Sequence, residues 1–327
     1  MASRLLEVDL MNQNLEEMLE LPCLRMEAEL RPAQGSRFQP TGFPDLGPAT
    51  FTRPDGTQML LVESSQSMAN RMEMVCWSEE KSDLVDLLQG MPYVRIELEN
   101  EVCTSSILDA HRLNSPYILE GKDKSFHEVL KEEFSAFNIG PVDYRKVART
   151  IFRHDPNSLV HGVFIAKKDL GMGRIRLPRM LSAFIEALGV TIAESGGVKL
   201  DNVNPKGEAS RGFGHVPYPR TEFTAEKITA YFSLDTSQLA GYSLELSGRL
   251  FLLALSLWKI RKFLEGALRL RTACDLELVD FKASKSNDAV RIPVLSELEG
   301  VLPSYIKACT DEGLFASPPI TRVIWRG

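Results

Sequence analysis

Apolar and polar positions alternate in register along several stretches of this chain. From Cys23 to Leu30, the apolar Leu24, Met26, Ala28 and Leu30 alternate with Arg25, Glu27 and Glu29, the period of two expected of a strand with one buried face. Ile228, Ala230, Phe232 and Leu234 alternate with Thr229, Tyr231 and Ser233 in the same way. Tyr93 to Glu101 predicts a strand with Val94, Ile96 and Leu98 inward, and Cys274, Leu276 and Leu278 mark another. The run "LVHGVFIA", Leu159 to Ala166, reads as a fully buried strand.

Elsewhere the period lengthens to that of a helix. Met68, Met72, Val75 and Cys76 fall at i, i+4, i+7 and i+8, with Ser64 or Ser65 placed to cap the first turn. Met180, Phe184 and Leu188 stand at i, i+4 and i+8, which predicts a short helix over Arg179 to Leu188. Ser247 to Leu264 is a long apolar helix. Two stretches break both periods. "RPAQGSRFQPTGFPDLGPATFTRPDG" is too rich in proline and glycine for regular structure, and Glu194 to Phe223 reads as a long loop. The skeleton is strand, helix, strand, helical insertion, strand, long loop, strand, helix, strand. Without its insertions this is a ferredoxin-like βαββαβ plan in an α+β protein. Such a sheet is backed by helices on one face and open on the other, where single-stranded RNA commonly binds.

Composition narrows the class. The chain has 327 residues, 44% of them hydrophobic and 25% charged, enough for a sizeable core. Its greasiest stretch, Leu250 to Trp258, is broken by Ser256 and followed by Lys259, Arg261 and Lys262, so no membrane span is expected. The acidic N-terminus lacks the apolar core of a signal peptide. Five scattered cysteines without a CxxC suit a reducing cytoplasm. The net charge of −6 is unevenly spread: Arg145 to Arg179 holds nine basic residues against Asp155 and Asp169. One face is therefore basic on an acidic molecule, or the charges are simply solvated.

Enzyme signatures are scarce. There is no GxSxG, Walker loop or HExxH, and the five histidines show no ligand spacing. "RGFGHVPY", Arg211 to Tyr218, fits most of the pattern by which aromatics of RNA-recognition domains stack on bases, but Pro217 and Pro219 cannot sit in a central strand. As a loop, Arg211, Phe213, His215, Tyr218 and Arg220 suit stacking on or wedging between bases. "SILDAHRLNSPYIL" collects Asp109, His111, Arg112 and Asn114, either a polar cluster facing a ligand or a capped helix ended by Pro116. "SSQSMANR", Ser64 to Arg71, crowds hydroxyls, Gln66, Asn70 and Arg71 at a helix start. Unpaired N–H donors and a partial positive charge gather there, and small side chains let a phosphate approach. An ordinary serine-capped helix is the plain alternative.

The "SSQS" of Ser64 to Ser67, opening the first helix after the first core strand, resembles the helix start of backbone subunits of the CRISPR Cascade complex, of the RAMP superfamily. The wider stretch "TGFPDLGPATFTRPDGTQMLLVESSQSMANRMEMVCW" resembles the variant of that subunit found in type I-U systems, also called I-G. "TEFTAEKITAYFSLDTSQLAGY" is similar to the strand after the family's thumb, and "GALRLRTACDLEL" falls at its last helix-to-strand turn. The resemblance implies an RNA-recognition-like palm over residues 1–100, 156–193 and 224–285, a helical fingers insertion over 101–155, a long thumb loop over 194–223 and a C-terminal extension over 286–327.

It also implies a role. Such subunits stack head to tail along one guide RNA, grip its backbone and pry its bases apart, and the guide then pairs with target DNA beside other Cascade subunits. By position, Ser64, Ser65, Gln66 and Ser67 would meet phosphates. Better-studied relatives carry basic residues around this motif, where this chain has Glu63, Ala69 and Asn70. The remaining phosphate charge would then fall to Arg71, to Lys167, Lys168, Arg174 and Arg176, and to Arg269 and Arg271. The implied protein is cytoplasmic, needs no cofactor or metal and catalyses nothing. The alternative is a metal-dependent ribonuclease, since type III relatives cut RNA with a loop aspartate; Asp45, Asp55 and Asp109 are the acids to weigh.

Overall fold

Leu24, Met26, Ala28 and Leu30 do line one side of a strand, and the strand lies next to the middle one of a large sheet. A computed structural model describes residues 2–43, 45–138, 140–211, 213–214, 216–284 and 290–326. Along the chain run α1 (Ala2–Leu19), β1 (Leu24–Pro32), β2 (Thr50–Thr52), β3 (Gln58–Glu63) and α2 (Ser65–Met74). A long insertion follows, with β4 (Tyr93–Leu98), β5 (Glu101–Ser105), α3 (Ser125–Glu133), α4 (Tyr144–His154), α5 (Pro156–His161), β6 (Val163–Ile165) and β7 (Ile175–Leu177). Then come β8 (Leu181–Leu188), β9 (Thr191–Lys199), β10 (Val216–Thr224), β11 (Lys227–Leu234) and α6 (Leu246–Leu264). The chain closes with β12 (Leu268–Arg271), β13 (Cys274–Ala283), α7 (Leu295–Asp311) and β14 (Ile320–Ile324).

The main sheet has seven strands in the order β12-β13-β1-β11-β8-β3-β2, and its pairings are antiparallel. Its middle holds the two strand–helix–strand units β1-α2-β8 and β11-α6-β13, interleaved so that β13 lies beside β1 and β11 beside β8. Every second residue of these strands enters the core: Leu181, Ala183, Ile185 and Ala187 of β8 lie beside Ile228, Ala230, Phe232 and Leu234 of β11. α6 is buried along almost its whole length, packed among α1, α2 and α7, which is why it is apolar all round.

Several expectations need correction. Arg179 to Leu188 is not a helix but the strand β8, in the heart of the sheet. "LVHGVFIA" divides: Leu159 to His161 end α5, and only Val163 to Ile165 are extended. Gly162 makes the corner at φ +81°, where a Cβ would meet the backbone of Leu177 and Arg179 at 3.0 Å. Leu98 is exposed rather than inward. The strand Tyr93–Leu98 lies outside the main sheet, in a three-stranded one where β14 pairs with it in parallel, Ile320 beside Tyr93. The proline-rich stretch before β3 contains short paired strands, among them the sheet edge β2. The 194–223 segment is a loop only in its middle: β9 and β10 form a hairpin from Thr191 beside Thr224 to Lys199 beside Val216. Reciprocal backbone hydrogen bonds of 2.9 Å between Phe38 and Phe223 tie its base to the body. Among the described residues no helix is long and apolar enough to cross a membrane.

Candidate nucleic-acid interface

The β3 strand runs straight into α2, and Ser64 is the joint. Its hydroxyl accepts the Ser67 N–H at 3.3 Å, the capping geometry that this residue type favours. The N–H groups of Ser65 and Gln66 have no intrahelical acceptor, as at any helix start. The face opposite is apolar, with Met68, Met72 and Cys76 buried. Gln66 is exposed; its amide donates to Asn70 at 3.0 Å and its carbonyl accepts from Arg179. The helix start therefore presents donors, and an arginine of another element stands beside it.

Arg71 and Arg271 are held differently. Both contact the carboxylate of Glu63, which is 1% exposed; Arg71 Nη2 lies 3.1 Å from it. Arg71 also donates to the backbone carbonyls of Arg269 and Leu270, and Arg271 to that of Gln39. Two guanidiniums share one buried carboxylate, so one positive charge remains beneath the helix start. The acidic Glu63 that departs from the family's basic pattern is thus the anchor for these arginines. Arg269 is exposed, 3.6 Å from Asp275.

On the other side of α2 opens a cleft of about 440 Å³. His111, Asn114, His161, Phe164, Arg176 and Arg179 are among its walls. Arg176 is exposed and lies over the Phe164 ring, 4.7 Å from its centre, a cation–π contact that fixes the guanidinium without neutralising it. Burial and the nearby Arg112 charge lower the pKa of Arg179. His111 is exposed, with its ring 3.1 Å from Asp109. Asn114 accepts the Ala166 N–H at 3.0 Å.

Arg112 forms the floor, not the surface. It is 5% exposed and grips Glu73 of α2 with two bonds of 2.6 and 2.9 Å. Asn157 donates to the same carboxylate at 2.7 Å and accepts from the fully buried Lys259 of α6, whose ammonium also lies 3.1 Å from His161 Nε2. Burial and the Lys259 charge hold His161 well below the usual histidine pKa, so it is neutral. Its Nε2 accepts from Lys259, and its Nδ1 has no partner. Asp155, buried nearby, is pushed up to about 7 by desolvation. This polar joint couples α2 and α6 to the insertion.

The remaining sites disperse. Lys167 pairs with Glu120 at 2.7 Å, and Lys168 is exposed. Arg174 is spent on the carbonyls of Phe137 and Gly140. Arg211 and the half-exposed Phe213 sit at the tip of the β9–β10 hairpin, far along the chain from the cleft, and Arg211 pairs with Glu208 at 3.1 Å. His215 lies outside the described residues. Asp201 organises the tip by accepting N–H groups of Val203, Asn204 and Gly214. Pro116 begins a helical turn capped by Ser115 rather than ending one. Of the loop acids, Asp45 is exposed, Asp55 caps Thr57 at 3.0 Å, and Asp109 accepts from His111 N–H and the Ser115 hydroxyl. Among the described residues no three His, Cys, Asp or Glu side chains gather as a metal site. Arg179, which stands beside Gln66, is not among the candidate residues that the sequence singles out. It was one charge among nine, and only the turn after Gly162 and Pro178 brings it to Gln66.

A polar helix start thus stands beside Arg179 of a cleft that also holds Arg176, on an α+β body with an antiparallel sheet. The sequence pattern of the family described as CRISPR-associated protein GSU0053 matches residues 24–192 of the 327, the segment that runs from β1 through this helix and cleft to β8. The chain belongs to that family of CRISPR-associated proteins. Similar solved structures include the following two. One is described as a CRISPR RNA-guided surveillance complex, pre-nicking, at 14% identity over 78% of this chain and 74% of the other, with a TM-score of 0.41. The second is Csc2 of Thermofilum pendens, at 11% identity over 91% and 80%, with a TM-score of 0.31. No curated protein matches the chain.

Proposed function

We propose that this protein is a guide-RNA-binding backbone subunit of a CRISPR interference complex and catalyses no reaction of its own. The family is CRISPR-associated, and the observation that carries the RNA reading is the meeting of the Ser64–Ser67 helix start with Arg179 at the edge of the basic cleft. Free N–H groups, hydroxyls and a positive helix end receive phosphate oxygens, while Arg176 and Arg179 supply charge. None of these groups reads a base edge, so recognition is of backbone and not of sequence.

The body is a ferredoxin-like palm in this reading. In support, counting only β1, β8, β11 and β13 as first to fourth, the sheet order is 4-1-3-2. The insertion serves as fingers and the β9–β10 hairpin as thumb, its exposed Val203 and Phe213 suited to wedging between bases. Copies stack head to tail on the guide in the cytoplasm, beside other subunits of the complex, and the guide pairs with target DNA.

The test is affinity for unrelated single-stranded RNAs across a salt series. Log affinity should fall with log salt by roughly 0.7 per phosphate neutralised. Arg176→Ala combined with Arg179→Ala should weaken every RNA to the same extent and flatten that slope by about 1.4 in all if each arginine meets one phosphate. Loss confined to one RNA sequence, or an unchanged slope, would defeat the reading.

A further inference from the structure

The sheet face turned away from the helices carries a second, chemically different patch. Phe184 of β8 and Tyr231 of β11 are direct cross-strand partners, their rings stacked with centres 5.2 Å apart. Both remain part-exposed. Tyr231 stands opposite Glu27 of β1, and Glu186 follows Phe184 on the same face of β8. Glu29, one row along, is held by Lys227 at 3.2 Å. Among the described residues Glu27 and Glu186 have no basic partner within ion-pair distance, and burial raises the pKa of Glu186. The same face also carries Arg25 and Lys282, the latter opposite Glu27 and 3.1 Å from Asp280, and between Glu27 and Glu186 it presents the stacked aromatic pair. It attracts a cation, through the ring faces and through charge-assisted hydrogen bonds.

The same chain offers such cations on another surface. Along α4, Arg145, Lys146, Arg149 and Arg153 fall within about 100° of the helix circumference at 3.6 residues per turn. Val147, Ala148, Ile151, Phe152 and His154 fill the opposite, buried side. The four cations are exposed, and none pairs with a carboxylate among the described residues; Arg149 donates to the Ser243 carbonyl at 2.8 Å. Dimensions agree. Arg145, Arg149 and Arg153 stand about 6 Å apart along the axis, at 1.5 Å per residue. Same-face residues of one strand stand roughly 7 Å apart, and three strands are about 10 Å wide, a helix diameter.

We propose that the Phe184–Tyr231 face of one copy, with Glu27 and Glu186, receives the basic face of the Tyr144–His154 helix of the next copy. The inference rests on the reading of the chain as a stacking subunit and names the contact by which it stacks. Two different, complementary surfaces on one chain propagate an open head-to-tail array, whereas one self-complementary surface would close a dimer.

The test uses the full chain without RNA, in sedimentation velocity at low and high salt. Wild type should associate with concentration, less so at high salt. Glu27→Lys with Glu186→Lys, and separately Arg145→Glu with Lys146→Glu, should each weaken self-association at least about tenfold by placing like charges across the junction. Circular dichroism checks that both variants fold. Mixed together, the two variants should associate again, because the acidic face of the second meets the basic helix of the first and the reversed charges at the other junction are also opposite. A monomeric wild type, undiminished association of either variant, or a mixture of folded variants that does not pair would overturn the proposal. Affinity for a short RNA is measured in parallel. If the α4 variant loses RNA affinity while its self-association stands, the helix faces nucleic acid and the proposal falls. Wild type that self-associates by this contact but binds no RNA would sustain the proposal and defeat the RNA reading.

Discussion

At the scale of single residues, the division between surface and interior decides what each polar side chain does. His111 and Arg112 are neighbours in sequence with opposite fates: one ring is exposed, the other side chain is locked on Glu73 beneath the cleft. Arg112→Ala leaves a carboxylate 2% exposed with only Asn157 and no cation bonded to it. Removing one partner of a buried ion pair costs about 3–5 kcal/mol, and the variant should show that loss in denaturant unfolding. His111→Ala should stay within about 0.5 kcal/mol of wild type. Equal, small effects would mean that the Glu73 carboxylate relaxes to water when its partner goes. The sequence announced the Ser64 cap, because cap residues and a following helical period are local signals. It did not announce which arginines were free. Arg71 and Arg271 meet at Glu63 across some 200 positions, and no local pattern carries that pairing.

At the scale of elements, the misread segments share a physical cause. Met180, Phe184 and Leu188 are four apart, and a spacing of four is close to a helical turn and is also twice the strand period. The informative positions were Leu181, Ala183, Ile185 and Ala187, which repeat every second residue and form the buried face of β8. The 194–223 segment was hidden for the opposite reason. A hairpin without a covering layer needs no apolar alternation, and its prolines and glycines are tolerated away from a central strand. Among the described residues that hairpin meets the body near its base, through the Phe38–Phe223 pairing, the Arg220 bond to Gln39 at 3.1 Å and the buried Glu222, on which Arg37 closes to 3.2 Å. Replacing Gly196 to Pro219 with a short glycine turn should therefore shift the unfolding midpoint little, since none of the described residues of the excised part belongs to the apolar core. If the hairpin wedges bases, chemical probing of RNA loaded with wild type should give a periodic pattern of exposed bases, and the shortened protein an even one. The same periodic pattern from both would remove the hairpin from that role.

At the scale of the whole molecule, the insertion between α2 and β8 is closed by a segment more than two hundred residues away from its start. β14 lies parallel to β4 and inserts Val323, 1% exposed, into the core. Arg322 grips Glu97 with bonds of 2.6, 3.0 and 3.1 Å, Asp123 accepts the Ile324 N–H at 2.8 Å, and Trp325 packs edge-on against Tyr117. None of these contacts involves the seven-stranded sheet; the helices α2 and α6, which pack on that sheet, meet the insertion at the joint of Glu73, Arg112, Asn157 and Lys259. Two regions with separate closures should also open separately. Val323→Asp puts an unpaired carboxylate into the part of the core that β14 covers, a burial that costs several kcal/mol unless the site opens. Hydrogen exchange should then quicken in β4, β5, β14 and α3, which packs on β14, while β1, β8 and β11 keep their protection. If Arg176 of the insertion and the Ser64–Ser67 helix start receive RNA together, as proposed, RNA affinity should fall in the same variant with the main sheet still folded. Uniform loss of protection across both sheets would instead make the chain one cooperative unit, with the polar joint strong enough to bind the insertion's stability to that of the main sheet.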